Sequence, residues 1–226
     1  MDRSAQEIMG WTAAARGGPA GVVRDLLVDD RDWEVRYLTV ETLSLARVRH
    51  ALVLPRAVRR LNAERRRFEL SLEQWEVAAA PDIEYDPPIA VQQEQASYDA
   101  RGWRYYLREP EAVAPAPAGE IGIGMPPRTR ARQSNDPHLR SLAVMTGYAV
   151  DGSDGPLGPL RDFVVDDKRW RVVSLVVGGA LGVAVPIERV SAVDWATSLV
   201  RVSLSTREAA ALSPPAERPG DAGAAA

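Results

Sequence analysis

The chain has 226 residues, a net charge of −3 and no cysteine. Without cysteine there are no disulfides, thiolate nucleophiles or cysteine-ligated metal centres, and the small negative charge favours neither nucleic acid nor an anionic membrane. No apolar run approaches the roughly 18 residues of a membrane span, and residues 1–10 lack the apolar core of a signal peptide. We therefore expect a cytoplasmic protein.

The first predicted hairpin lies near the N-terminus. Residues 22–28 and 33–40 are rich in β-forming side chains and enclose four polar residues, a pattern that indicates two strands and a turn. Alternation along the second strand predicts one shared face. That face holds Trp33, Val35, Tyr37 and Thr39.

The rest of this region continues as short elements. Residues 51–55 predict a strand that ends at Pro55, because proline cannot donate to a ladder. Residues 68–72 predict a last alternating strand, and residues 73–79 a short helix. Five or six short strands in about 70 residues are typical of a small barrel that closes on itself.

The same pattern returns later in the chain. Residues 21–40 align with residues 158–177 at an offset of 158 − 21 = 137, and ten of the 20 positions are identical. Residues 182–186, 200–204 and 206–212 then repeat the strand ended by proline, the last strand and the helix. A repeat of this length indicates a duplicated module.

A different composition separates the two modules. Residues 87–102 predict a helix, and residues 110–137 are rich in proline, glycine and arginine, as flexible linkers are. The tail, residues 214–226, is expected to be disordered. Trp103, Tyr105 and Tyr106 lie between the helix and the linker, outside both repeats.

The order of these motifs resembles tandem PRC-barrel proteins. The resemblance is carried by the repeated Gly-x-[Val/Leu]-x-Asp-[apolar]3-Asp-Asp-x-x-Trp-x-Val motif, then by residues 81–87, 102–106 and 137–141. It covers nearly all of residues 8–214. PRC-barrels include the cytoplasmic domain of the photosynthetic reaction-centre H subunit and the C-terminal domain of a ribosome-maturation factor.

The resemblance implies a mainly β protein of two small barrels in tandem. The expected limits are barrel 1 at residues 5–86, a connecting helix and linker at 87–137, barrel 2 at 138–213, and the tail. Family members bind other proteins through the barrel, and the resemblance carries over no catalytic residues. One loop departs from the family pattern, at residues 42–47, so a contact through that loop is not expected.

Several charged groups admit both a functional and a structural interpretation. The pairs Asp29-Asp30 and Asp166-Asp167 suit either a cation or a hairpin turn, and we favour the turn. Residues 151–155 resemble a calcium loop but place Pro156 where glycine is required, which favours a glycine-rich hairpin. Two arginine clusters suit phosphate or a solvated face. They are Arg59, Arg60, Arg65, Arg66 and Arg67, and Arg128, Arg130, Arg132 and Arg140.

No residue pattern indicates catalysis, a metal site or a cofactor, since His50 and His138 lie in different segments and Lys168 is the only lysine. We predict a non-enzymatic scaffold that binds a protein partner or a second copy of itself. The candidate contact residues are Trp103, Tyr105 and Tyr106, because aromatics concentrate binding energy. Two alternatives stay open: an RNA- or ribosome-associated assembly factor, and an accessory factor of a photosynthetic or electron-transfer membrane complex.

Overall fold

The computed structural model describes residues 1–44, 47–89, 136–178 and 182–212. In these residues the protein is mainly β and forms two separate sheets of seven strands each. The predicted tail, and nearly all of the predicted linker and connecting helix, lie outside the described residues.

The first module begins with β1 (Asp2–Ser4) and α1 (Ala5–Ile8). Its other elements are β2 (Thr12–Arg16), β3 (Gly18–Asp29), β4 (Val35–Ser44), β5 (Arg47–Val53), β6 (Val58–Asn62), β7 (Arg67–Glu73) and α2 (Gln74–Ala79). The strand order in its sheet is β5-β4-β3-β2-β7-β6, in which β2 and β7 are parallel and the other pairs are antiparallel.

The second module repeats this plan. Its elements are β8 (Leu139–Ser141), α3 (Leu142–Met145), β9 (Ala149–Asp151), β10 (Pro156–Asp166), β11 (Arg171–Val177), β12 (Val183–Pro186), β13 (Val190–Asp194), β14 (Leu199–Val202) and α4 (Thr206–Ala210). The order β12-β11-β10-β9-β14-β13 matches the first sheet strand for strand. The duplication predicted from the sequence is therefore a duplication of topology.

The prediction of closed barrels is wrong, because both sheets are open. In the first sheet β5 and β6 stand at opposite ends of the strand order and share no ladder, as do β12 and β13 in the second. A 3-10 turn joins the two end strands in each module, at Pro55–Ala57 and Ile187–Arg189. Pro55 has no N–H to donate and a fixed φ, so the chain turns here instead of continuing into a closing ladder.

Of the residues predicted to share one face of the second strand, only Trp33 and Val35 do so. Leu27 pairs with Tyr37 but the next residue pairs with Val35, which leaves Arg36 as an extra residue in a β-bulge. Beyond the bulge Leu38 points into the core, while Tyr37 packs with Leu27 in a small second cluster. The second module has a register shift at the same place, and its core-facing residues are Val172, Leu175 and Val177.

The first residues of each module pack on the other module. We name residues 1–10 hook 1 and residues 138–147 hook 2. In hook 1, β1 pairs with β10 of the second sheet, and in hook 2, β8 pairs with β3 of the first. Helices α1 and α3 follow their strands onto the same two partners. The modules therefore exchange equivalent segments across a rough two-fold axis.

Two tryptophans mark this axis. The N–H of Val35 donates to the carbonyl of Trp170, and the N–H of Val172 donates to the carbonyl of Trp33. The ring of Trp170 also stacks on Phe68 of the other module at a centroid distance of 6.2 Å. Most of the buried apolar side chains of both modules consequently form one continuous hydrophobic core.

Gly21, the first residue of the repeat, is required by a close backbone approach. Its φ is +153°, and a Cβ built on it would lie 2.3 Å from the carbonyl oxygen of Glu41 on β4. The equivalent Gly158 has φ +116°, and its Cβ would lie 3.1 Å from the Cα of Gly178. Only glycine fits this crossing without displacing the neighbouring strand.

We predict that Gly21→Ala lowers the free energy of unfolding by more than about 2 kcal/mol, because it adds a steric clash to backbone strain. Gly10→Ala is the matched control: Gly10 has φ +89°, but nothing lies within 4 Å of its Cβ position. The control should cost about 1 kcal/mol from strain alone. Urea unfolding measures both, and equal costs would contradict the close approach.

Candidate functional site

The aromatic residues proposed from the sequence, Trp103, Tyr105 and Tyr106, lie outside the described residues, and their role stays a prediction. So do three arginines of the second basic cluster. The fourth, Arg140, lies on β8 in hook 2, where it pairs with Asp30. It therefore contributes to the contact between the modules.

The first residue of each Asp-Asp pair forms the predicted turn. Asp29 is 1% exposed, and its carbonyl accepts the N–H of Trp33. Its carboxylate accepts hydrogen bonds from Arg31 at 2.6 Å and from Arg36 at 2.9 Å. The side-chain bonds from Arg31 are the main reason that the pKa of Asp29 lies far below its ordinary value. This carboxylate is fully engaged in its turn.

The second residue of each pair receives the arginine of the opposite hook. Asp30 accepts from Arg140 of hook 2 at 2.5 Å, and His138 Nδ1 lies 2.8 Å from its other oxygen. In the second module Asp167 accepts from Arg3 of hook 1 at 2.8 Å. The duplicated Asp-Asp pair thus combines a turn with a docking point.

A second pair of carboxylates receives the start of each hook helix. Asp25 accepts from the Ser141 hydroxyl at 2.5 Å and from the N–H of Ala143 at 3.0 Å. Asp162 is hydrogen-bonded in the same way to Ser4 and to the N–H of Gln6. Burial raises the pKa of Asp25 to about 6, although the hydrogen bonds from Ser141 and the backbone oppose this shift.

An open groove of about 530 Å³ lies on the first module. Its lining residues are Thr12, Ala14, Ala15, Arg16, Gly18, Pro19, Arg65, Arg67, Glu69 and Leu70. Glu69 accepts hydrogen bonds from Asn62 and Arg67, which hold its pKa below the usual range. The Nε of Arg67 is buried and has no hydrogen-bond partner in the described part of the chain.

The groove chemistry is specific to the first module. After the 3-10 turns, equivalent residues of the two modules are 200 − 68 = 132 positions apart in the sequence, because Phe68 and Val200 occupy the same ladder position. At this offset Arg65 and Arg67 correspond to Thr197 and Leu199, and at the earlier offset of 137 Arg16 corresponds to Ser153. The duplicated scaffold folds without any of these three arginines.

Helix α2 begins at the end of the groove and exposes a tryptophan. Gln74 donates to the carbonyl of Pro19, and Glu73 lies 3.9 Å from Arg16. Trp75 is 69% exposed, whereas Val77 on the other side of the helix is fully buried. In the second module the position of Trp75 is occupied by Arg207.

Sequence reasoning missed Trp75, although a signal existed. Residues 75 and 77 cannot share a face of a helix, so one of two apolar side chains in the predicted helix had to face away from the core. The repeat alignment identifies Trp75 as the exposed one, because Arg207 replaces it while Val77 corresponds to the buried Ala209.

Other candidates resolve into structural roles. Residues 151–155 form the predicted glycine-rich hairpin, and Asp154 in it accepts a hydrogen bond from the N–H of Thr206 at 2.7 Å. Within the described ranges no three His, Asp or Glu side chains are grouped so that they could hold a metal ion. None of the helices described is long and apolar enough to cross a membrane.

Comparison with protein-family models and with curated proteins gave no match. The family assignment therefore rests on the sequence motifs alone and is taken up below as a proposal.

The partly buried Asp25 generates a pH prediction. Its pKa of about 6 in the folded state exceeds the roughly 3.9 of an unfolded aspartate, so the native state binds more protons between these values. The contribution of this group to stability is therefore full below about pH 4 and is lost as the pH rises through 6.

Asp25→Asn should remove this loss of stability at higher pH. The amide oxygen still accepts the N–H groups of Leu26 and Ala143, and the amide NH₂ donates to the hydroxyl oxygen of Ser141. The variant should exceed the wild type in unfolding free energy by on the order of 2–3 kcal/mol near pH 7, and match it near pH 4. Urea titrations at the two pH values measure the difference. A difference independent of pH would contradict the prediction.

Proposed function

We propose that this protein is a non-enzymatic protein-interaction scaffold of the tandem PRC-barrel type. The observation that carries the proposal is the exposure of Trp75 beside the arginine-lined groove. Tryptophan and arginine are the residues most enriched where binding energy concentrates in protein interfaces. An indole ring left in water also costs free energy that burial against a partner recovers.

The duplication distinguishes residues that the shared fold requires from residues that occur in one module only. Both modules build the same sheet and helix, but only the first has a tryptophan at this helix position and arginines along the groove. Val48, on β5, is a second exposed apolar side chain, with 60% of its surface accessible.

The carboxylates that invited a catalytic interpretation support this function in another way. Asp29 is engaged with two arginines, Asp30 with hook 2, and Asp25 with the start of α3. The bonds of Asp30 and Asp25 join the two modules, whereas those of Asp29 hold its own turn. The repeated acidic motif thus supports assembly of the scaffold.

Binding to RNA is the second candidate, and one observation favours it. The β6–β7 hairpin exposes several arginines that the equivalent hairpin of the second module lacks. These are Arg59, Arg60, Arg65 and Arg66. Clustered arginines contact phosphate, and such binding weakens steeply with salt.

We predict that Trp75→Ala abolishes partner capture and leaves the fold unchanged. The full chain is immobilised, incubated with an extract of the source cells, and its bound proteins are quantified by mass spectrometry. Because Trp75 is mostly exposed, its replacement should change unfolding free energy by less than about 0.5 kcal/mol. Sedimentation velocity of both proteins tests whether the partner is a second copy.

Arg207→Ala is the matched control, since it truncates the equivalent residue of α4. Proteins retained by the wild type and this control but lost from Trp75→Ala support the proposal. Equal capture by all three proteins, or no enrichment over blank resin together with a monomeric wild type, would contradict it.

A further inference from the structure

We infer that the groove of the first module binds an extended acidic segment of a protein partner. This inference rests on the proposed function and specifies the chemistry of the partner. It is carried by the charges, the shape and the unpaired donor of the groove.

The rim of the groove is positively charged. The side chain of Arg16 is 59% exposed and that of Arg67 is 33% exposed, and Arg65 is also exposed. Within the described residues the charged contact of Arg16 is a long one with Glu73, at 3.9 Å, so Arg16 gains a closer partner when a carboxylate enters. Guanidinium groups bind carboxylates in a two-pronged geometry, which suits glutamate and aspartate side chains.

The apolar part of the groove lining is made mostly of small residues. It consists of Ala14, Ala15, Gly18, Pro19 and Leu70. Small side chains leave room for a backbone to lie close to the protein. The groove has a volume of about 530 Å³ and is open to solvent.

The unpaired Nε–H of Arg67 points to an acceptor that is supplied from outside. Buried donors are nearly always paired in folded proteins. The neighbouring Nη2 donates to Glu69 at 3.2 Å. An entering carboxylate gives the Nε–H its missing partner when Arg67 releases Glu69 and its guanidinium turns toward the groove.

A peptide fits the groove better than RNA does. Glu69 lies among the lining residues and accepts hydrogen bonds, and a peptide backbone supplies N–H donors to it. None of the described residues that line the groove is aromatic, so the groove itself offers no surface on which a base would stack. Alternating acidic and small apolar side chains match the arginines and the small apolar residues of the lining.

The equivalent region of the second module lacks the three arginines of the groove. Ser153, Thr197 and Leu199 replace the three arginines, and Arg201 replaces Glu69. These replacements supply substitutions that the scaffold is known to accommodate. They make Arg16→Ser combined with Arg65→Thr the natural variant for a test.

The experiment measures fluorescence anisotropy of a labelled peptide of repeated Glu-Ser-Glu-Val with the full-length protein. We expect saturable binding that the double variant weakens about tenfold and that added salt weakens further. A control peptide with Gln in place of Glu should bind the wild-type protein no more tightly than the acidic peptide binds the double variant. Arg207→Ser, a charge change on exposed α4, should leave the affinity unchanged.

A labelled single-stranded RNA forms the second arm of the measurement. Tighter binding of RNA than of peptide, lost in the same double variant, would overturn the inference in favour of a phosphate site. Absence of peptide binding, or binding insensitive to the double variant, would also overturn it. If Trp75→Ala still abolishes partner capture in that case, the scaffold function stands and only the acidic-segment assignment fails.

Discussion

The reciprocal exchange of hooks is the constraint on which this structure depends. Each module completes its sheet with a strand from the other, and each hook inserts a serine and an arginine onto a pair of aspartates. Because the same contacts occur twice, the two modules cannot separate without breaking both sets. Two modules of modest size thereby share one hydrophobic core, which small single domains have difficulty building alone.

Because the two modules share one fold, the residues that differ between them are informative about function. The residues that differ between the modules are free of the requirements that the shared fold imposes, and in the first module they place arginines along a groove and a tryptophan beside it. The second module builds the same elements with serine, threonine, leucine and arginine at these positions. Function in such a chain is best sought where one copy departs from the other.

The repeat, the hairpins and the terminal helices follow from sequence, since the alternation and the shared aspartates, glycines and tryptophans are local signals. The bulge at Arg36 does not follow, because one extra residue shifts the face of a strand without changing its composition. The exchange of hooks is also absent from local signals: Ser4 and Ser141 cap the short helices α1 and α3, and only the fold shows that they also contact the opposite module. Trp75 is apolar and helical in sequence, and its exposure depends on which side of α2 meets the sheet.

Hydrogen exchange of the hook variants tests the central claim most directly. Met145 is carried by hook 2 and Ile8 by hook 1, and both are buried, so truncation to alanine should loosen the contact each hook makes. The exchange of hooks predicts that Met145→Ala accelerates amide exchange mainly in β3 of the first module, and that Ile8→Ala does so mainly in β10 of the second. Acceleration confined to the module that carries each substitution would contradict the account.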